Sequence, residues 1–156
     1  EQASGDISGL IGQYAHGNEP SHHIAHLYNY VGQPWRTQEI VDEVLHTLYF
    51  NNPDGLSGNE DCGQMSAWYI LNAMDFYQVC PGKSVYSIGR PLFNEATVHL
   101  KDGKSFKVIA HNNSRDNKYV RSIVLNGNKL ETPFFTHQDI VDGGTLELTM
   151  GSEPLK

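Results

Sequence analysis

The spacing of apolar residues changes near residue 82, and this change limits the possible folds more than any other feature. Before it, apolar side chains recur every three or four residues, as on one face of an α-helix. After it, they form short runs separated by Gly, Asn and Asp. The strand–helix alternation of a doubly wound parallel sheet is missing. We therefore predict an α+β chain with a helical segment over residues 1–81 and an antiparallel β region over residues 82–156.

Three helices are predicted in the first segment, over residues 20–30, 37–49 and 63–76. Pro20 suits the first position of a helix, where its missing N–H is not needed. The third helix is apolar nearly all round, so we expect it to be buried on most sides, with Trp68 in the core. Because it would need further neighbours, we expect the isolated chain to be poorly soluble.

Turn signals divide the second segment into strands. Asp102-Gly103 separates the runs 97–100 and 105–109, and Asn126-Gly127 separates 120–125 and 129–132, which predicts two hairpins. Residues 145–150 alternate as a last strand, and residues 85–88 are a weaker candidate.

Charge and hydropathy exclude two classes of partner. The chain has 18 acidic and 11 basic residues and a net charge of -7, so it lacks the basic face that nucleic acid requires. No apolar run reaches the length of a membrane span. Residues 1–20 show no signal-peptide pattern, which leaves a cytoplasmic protein, a mature secreted protein and a fragment as alternatives. Cys62 and Cys80 flank a predicted helix roughly 21 Å long, so we expect them to be unpaired, buried thiols.

The first polar cluster covers residues 17–23. Asn18 and Glu19 offer hard oxygen ligands suited to calcium. His22 and His26 are four residues apart and would share a helix face, as in some zinc sites. Simple capping with surface histidines is the third alternative, and the spacing alone favours it over calcium and zinc.

The second polar cluster covers residues 54–64, where Glu60 and Asp61 lie in a glycine-rich loop before the third helix. Asp61 with Gln64 three residues later fits a variant of the capping box. A carboxylate at this position would also be kept ionised by the helix N–H groups, as a catalytic base requires. The two interpretations are compatible.

Residues 9–23 (GLIGQYAHGNEPSHH) and 58–69 (GNEDCGQMSAWY) resemble the C-terminal part of glycoside hydrolase family 92, as do residues 30–37 and 76–82. Members are exo-acting, calcium-dependent, inverting α-mannosidases, often α-1,2-specific. The resemblance implies that this chain is roughly the last fifth of such an enzyme, with its helices completing an (α/α)6 barrel. It also implies α-mannoside glycans and the remainder of the parent chain as partners, and export to a secreted, periplasmic or cell-surface location.

The resemblance implies residue roles as well. Asp61 would be the general base, and Asn59, which replaces the first acid of the family's pattern, would assist by hydrogen bonding. The general acid would lie ahead of this chain. Glu19, Asn18 and Gln2 would bind calcium. The residues lining the substrate site would be His22, His23, Glu60 and Gln64.

Two hypotheses of other classes remain. The chain could be a non-catalytic carbohydrate-binding or structural fragment, since on its own it would lack the acid. It could also be a zinc hydrolase built on His22 and His26, although the metalloprotease pattern requires Glu where His23 stands.

Overall fold

A computed structural model describes residues 7–156 of the chain. In this part of the chain four α-helices are present: α1 (Leu27–Tyr30), α2 (Pro34–Thr47), α3 (Gln64–Ala73) and α4 (His137–Asp142). Ten strands accompany them, namely β1 (Leu10–Ile11), β2 (Tyr14–Ala15), β3 (Phe76–Tyr77), β4 (Val85–Ile88), β5 (Glu95–His99), β6 (Ser105–His111), β7 (Tyr119–Leu125), β8 (Asn128–Lys129), β9 (Phe134–Thr136) and β10 (Gly144–Gly151).

The second and third predicted helices are confirmed, with shifted ends. Helix α2 begins earlier than predicted because Pro34 occupies its first turn. The prediction for residues 20–30 is wrong over most of its length. Two 3-10 turns, Glu19–Ser21 and Ile24–His26, precede the short α1. The tighter winding directs side chains four residues apart to different sides, where an α-helix would place them on one face.

The β region is mixed, which corrects the antiparallel prediction. Five strands lie in the order β5-β6-β10-β7-β8, with β10 antiparallel to β7 but parallel to β6. The chain passes through α4 before β10 enters between two strands that were already made, and this return sets the parallel direction. Both predicted hairpins, β5–β6 and β7–β8, are confirmed.

A second sheet has the order β3-β4-β9 and is antiparallel. Strands β3 and β9 have two and three residues, too few to show a period in the sequence, and they were not predicted. Strand β4 was predicted and is confirmed.

The core consists of two apolar clusters, and Leu71 of α3 borders both. One lies under the five-stranded sheet and includes Phe106, Leu146 and Leu148. The other lies between α2, α3 and the N-terminal segment and includes Val44 and Trp68, so the prediction for Trp68 is confirmed. The two parts of the chain therefore pack against each other, and the division at residues 81 and 82 stays a prediction.

Two burial predictions are wrong. Helix α3 exposes one side, where Ile70 is 50% accessible, because no described element covers it. Cys62 and Cys80 are unpaired as expected, but both are exposed, since each lies in a turn beside an element and not within it. No helix in residues 7–156 is both long enough and apolar enough to cross a membrane.

Candidate active site

Glycines bring the two polar clusters into contact. Gly58 has a φ of +82°, and a Cβ built there would lie 2.5 Å from the carbonyl oxygen of Gly17. A Cβ on Gly17 would lie 2.9 Å from the carbonyl oxygen of Ser57. Because neither position has room for a side chain, the two backbones can come into contact.

This contact places the carboxylates of Glu19 and Asp61 within hydrogen-bond reach of each other. The hydrogen bond to Glu19, together with desolvation and the charges of Glu19 and Glu60, raises the pKa of Asp61. The same hydrogen bond lowers the pKa of Glu19. Two like charges this close are relieved either by a shared proton or by a cation. The fold thus brings together two predicted site residues from motifs that lie far apart in the sequence.

Asp61 begins a short left-handed turn. Asp61, Cys62 and Gly63 have φ values of 51°, 58° and 96°. The prediction that Asp61 is the N-cap of α3 is therefore wrong, because Gly63 occupies the N-cap position. The carboxylate of Glu60 satisfies the helix end by accepting hydrogen bonds from the backbone N–H groups of Gly63 and, at 3.1 Å, Ser66.

A buried histidine, His16, packs beneath the ring of His22 in the site. His16 is fully buried. Tyr49 Oη donates to the Met65 carbonyl at 3.0 Å, so it accepts from His16 Nε2 at 2.7 Å. His16 Nδ1 then accepts from Tyr14 Oη at 2.8 Å. Burial lowers the pKa of His16 to about 3, which keeps the ring neutral.

His22 lies above this ring, stacked on it at 4.9 Å between centroids. Its Nε2 donates to the His16 carbonyl at 3.0 Å, and its Nδ1 accepts from Gln64 Nε2 at 3.0 Å. Gln64 Nε2 also donates to Tyr77 Oη at 3.2 Å, so both amide hydrogens are used and Oε1 remains available. Desolvation lowers the pKa of His22, although the nearby charge of Glu19 opposes this effect.

His26 points elsewhere and does not converge with His22. Its Nε2 donates to Asn72 Oδ1 at 2.8 Å, and its Nδ1 lies 3.1 Å from Ser87 Oγ. Asn29 donates to the same hydroxyl at 2.7 Å, which leaves the Ser87 proton for His26. Within residues 7–156, no three His, Cys, Asp or Glu side chains form a metal-binding group. The structure thus does not support a zinc pair of His22 and His26.

Of the remaining predicted residues, the structure describes Asn18, His23 and Asn59. Asn18 precedes the first 3-10 turn and its side chain makes no capping bond, so its amide oxygen is available. His23 is half-buried and Asn59 is exposed. Gln2 lies outside the described residues. The oxygens of Glu19 and Asn18 are the hard donors that calcium prefers, so this edge of the site fits such an ion.

Sequence reasoning missed the buried and half-buried polar residues that hold the histidines, namely Tyr14, Tyr49, Tyr77, Asn72 and Ser87. The available signal was a polar side chain within an apolar helical stripe, as Asn72 is in α3.

Comparisons with known proteins show what the chain is similar to. The sequence model of the family described as glycosyl hydrolase family 92 catalytic domain matches residues 1–152. A family 92 α-mannosidase from Bacteroides thetaiotaomicron, solved with mannoimidazole, is 45% identical with a TM-score of 0.92, over 96% of this chain and 20% of its own. A family 92 inverting mannosidase from the same organism is 48% identical with a TM-score of 0.85, over 92% of this chain and 19% of its own.

A secreted glycosidase of Arthroderma benhamiae, described as uncharacterized, is 31% identical over 140 residues. The match covers 88% of this chain and 18% of that protein. The chain therefore spans about a fifth of the length of the relatives it matches.

Proposed function

The chain belongs to glycosyl hydrolase family 92, and we propose that it supplies the general base and the cation-binding edge of an inverting α-mannosidase site. The observation that carries the proposal is the meeting of Asp61 and Glu19 from two distant motifs, beside the neutral His22 and Gln64. The α-mannosidases among its relatives support the choice of reaction.

Inversion requires two carboxyl groups on opposite sides of the glycosidic bond. Asp61, exposed on its turn, would take the proton from the attacking water. Asn59 is also exposed, and its amide would donate a hydrogen bond on the same side. The general acid would come from a part of the parent enzyme outside this chain.

The residues around Asp61 would hold the sugar. Gln64 Oε1 would accept from a hydroxyl group because both amide hydrogens are already used inside the protein. His22 would keep Gln64 in this orientation, and His23 would line the neighbouring wall. Glu19 and Asn18 would bind calcium, with Gln2 as a further ligand. The ion would supply contacts to sugar hydroxyls and offset the negative charge.

The substrates would be terminal α-mannosides of glycans, with α-1,2 linkages as the first choice. Helices α1 to α3 would complete an (α/α)6 barrel formed with the remainder of the parent chain. The secreted relative supports export from the cell.

The test is the Asp61→Asn variant in the complete polypeptide that carries this chain, assayed on α-1,2-mannobiose. We expect kcat to fall by a factor of about 10²–10⁴, the usual contribution of a general base. Asp116→Asn, at an exposed carboxylate in another loop, is the control. Proton NMR should show β-mannose as the first product. Full activity of Asp61→Asn, or α-mannose as the first product, would contradict the proposal.

The calcium role has a separate test. Glu19→Gln keeps the shape of the side chain but removes its charge, so we expect weaker calcium binding by calorimetry and a higher calcium requirement for activity. Glu43→Gln, at an exposed position of α2, is the control. An unchanged calcium titration for Glu19→Gln would exclude this residue as a ligand.

A further inference from the structure

The turn that carries Asp61 has an unfavourable backbone conformation. Three successive residues, Asp61 to Gly63, adopt positive φ, and the first two have side chains. L-residues avoid this region because Cβ comes too close to the backbone carbonyl oxygen, so the surrounding structure must impose it. Such a turn persists only where fixed contacts close it at both ends.

Glu60 provides those contacts. Its carbonyl oxygen accepts from Met65 N at 3.3 Å. Its carboxylate accepts from the backbone N–H groups of Gly63 and Ser66. Glu60 thus bonds to the first turn of α3 through both main chain and side chain, and the left-handed residues lie between these bonds.

Helix α4 shows what an ordinary cap looks like in the same protein. There Thr136, with an extended φ of -105°, and Asp139 form a reciprocal capping box. Asp139 lies inside the helix and reaches back, so its bonds enclose no left-handed residue. Glu60 lies before the helix and reaches forward over residues 61–63. The carboxylates have the same capping chemistry, but only Glu60 constrains a turn.

We propose that Glu60 is a positioning residue that holds residues 61–63 in the left-handed turn and thereby directs the Asp61 carboxylate towards Glu19. The inference rests on the proposed role of Asp61 as general base. It also gives Glu60 a role different from direct contact with substrate, because both of its carboxylate oxygens bond to the end of α3.

The decisive experiment is a rescue in the complete polypeptide. Glu60→Gln has one side-chain acceptor oxygen in place of two, so it loses part of the clamp, by which we mean the hydrogen bonds from Glu60 to the N–H groups at the start of α3. We therefore expect kcat to fall at least tenfold while KM changes less than threefold. Adding Cys62→Gly should restore most of kcat, because glycine adopts positive φ without the side-chain penalty. Asp139→Asn weakens the cap of α4 in the same way and should leave kcat unchanged.

Two results would overturn the proposal. A rise in KM that Cys62→Gly does not reverse would show that Glu60 contacts substrate. A lower melting temperature with unchanged kcat would show a purely structural cap. If Glu60→Gln does not fold, Glu60→Asp keeps the carboxylate but shortens its reach to the N–H groups of Gly63 and Ser66, so it should give the same kcat effect on a smaller scale; an unchanged kcat there would count equally against the proposal.

Hydrogen exchange separates this inference from the proposed function. The backbone amides of Gly63 and Ser66 should exchange faster in Glu60→Gln than in the wild type, whatever reaction the protein catalyses. If these amides exchange faster in Glu60→Gln but the Asp61→Asn variant is active, the positioning role of Glu60 is supported and the general-base role of Asp61 is refuted. Unchanged exchange would refute the clamp and leave the base assignment intact.

Discussion

At the scale of single residues, the site depends on two positions that have no side chain. Gly17 and Gly58 let the backbones of two distant motifs touch, and the carboxylates that follow them become neighbours. The motifs could be recognised in the sequence, but this approach could not be predicted, because no local pattern specifies which glycine packs on which. Likewise, the left-handed φ of Cys62 has no local signal, since cysteine does not favour it.

Alanine at residue 58 tests this contact. The methyl group would meet the Gly17 carbonyl, and the alanine would have to adopt a positive φ, so we expect Gly58→Ala to lower the free energy of unfolding by about 2–3 kcal/mol and, in the complete polypeptide, to lower the proposed mannosidase activity at least tenfold. Gly12→Ala is the control, because its φ is +59° but nothing lies within 4 Å. Denaturant unfolding and kcat/KM of both variants are the measurements, and equal losses would contradict the explanation.

Buried His26 gives a prediction about pH. Burial lowers its pKa to about 4, below the value of about 6.5 in an unfolded chain. Between about pH 6.5 and pH 4, His26 is therefore protonated in the unfolded chain but neutral in the folded protein. The contribution of neutral His26 to stability is complete above pH 6.5 and is lost as the pH falls towards 4.

We therefore expect the stability advantage of the wild type over His26→Gln to shrink by about 3 kcal/mol between pH 7 and pH 4. Urea unfolding of both proteins across this range measures the difference. A constant difference between the wild type and His26→Gln would refute the assignment.

At the scale of elements, α2 is fastened to the β region by buried charges. Asp42 Oδ1 lies 3.0 Å from Arg90 Nε and 3.4 Å from Arg115 Nη1. Arg90 is only 2% exposed. Its Nε has no directed hydrogen bond, so the contact with Asp42 is an ion pair. The Arg90 guanidinium also bonds to the carbonyls of Pro91 and Ser114, which secures it from the other side.

Removing Asp42 should therefore be costly. Asp42→Ala leaves the buried Arg90 without its salt-bridge partner, and we expect a loss of about 3–5 kcal/mol in the free energy of unfolding. Glu95→Ala removes one member of the exposed Lys107–Glu95 pair and should cost about 1 kcal/mol or less. Chemical denaturation of both variants gives the comparison, and similar losses would show that the α2 contact is not important.

The elements themselves differed in how well the sequence predicted them. Helices α2 and α3 have long apolar stripes, and both hairpins have strong turn signals, so they were found. The direction of β10 relative to β6 was not predicted correctly, because Leu146, Leu148 and Met150 alternate in the same way beside a parallel or an antiparallel neighbour. Pairing between strands far apart in the chain leaves no local trace.

At the scale of the whole molecule, the described surface has an apolar face beside α3. Phe50 and Ile70 are 58% and 50% exposed and line one groove with Tyr49 and Tyr69. Scattered apolar side chains are common on protein surfaces, whereas a contiguous patch favours association.

We expect residues 1–156 expressed alone to self-associate through this face. The double variant Phe50→Ser/Ile70→Gln should have a lower weight-average molecular mass than the wild type. The control double variant Phe93→Ser/Val141→Gln, at scattered exposed positions of the β region, should not. Analytical ultracentrifugation at equal concentrations makes the comparison. A monodisperse wild-type monomer would contradict the prediction.

The order of strands in the large sheet has a consequence for biosynthesis. Strand β10 is synthesised after all the other strands of that sheet, yet it lies in its middle, bonded to β6 on one side and β7 on the other. Until residues 144–151 leave the ribosome, both of those strands have an open edge that another chain could join. We therefore expect the nascent protein to be most prone to aggregation before that stretch emerges.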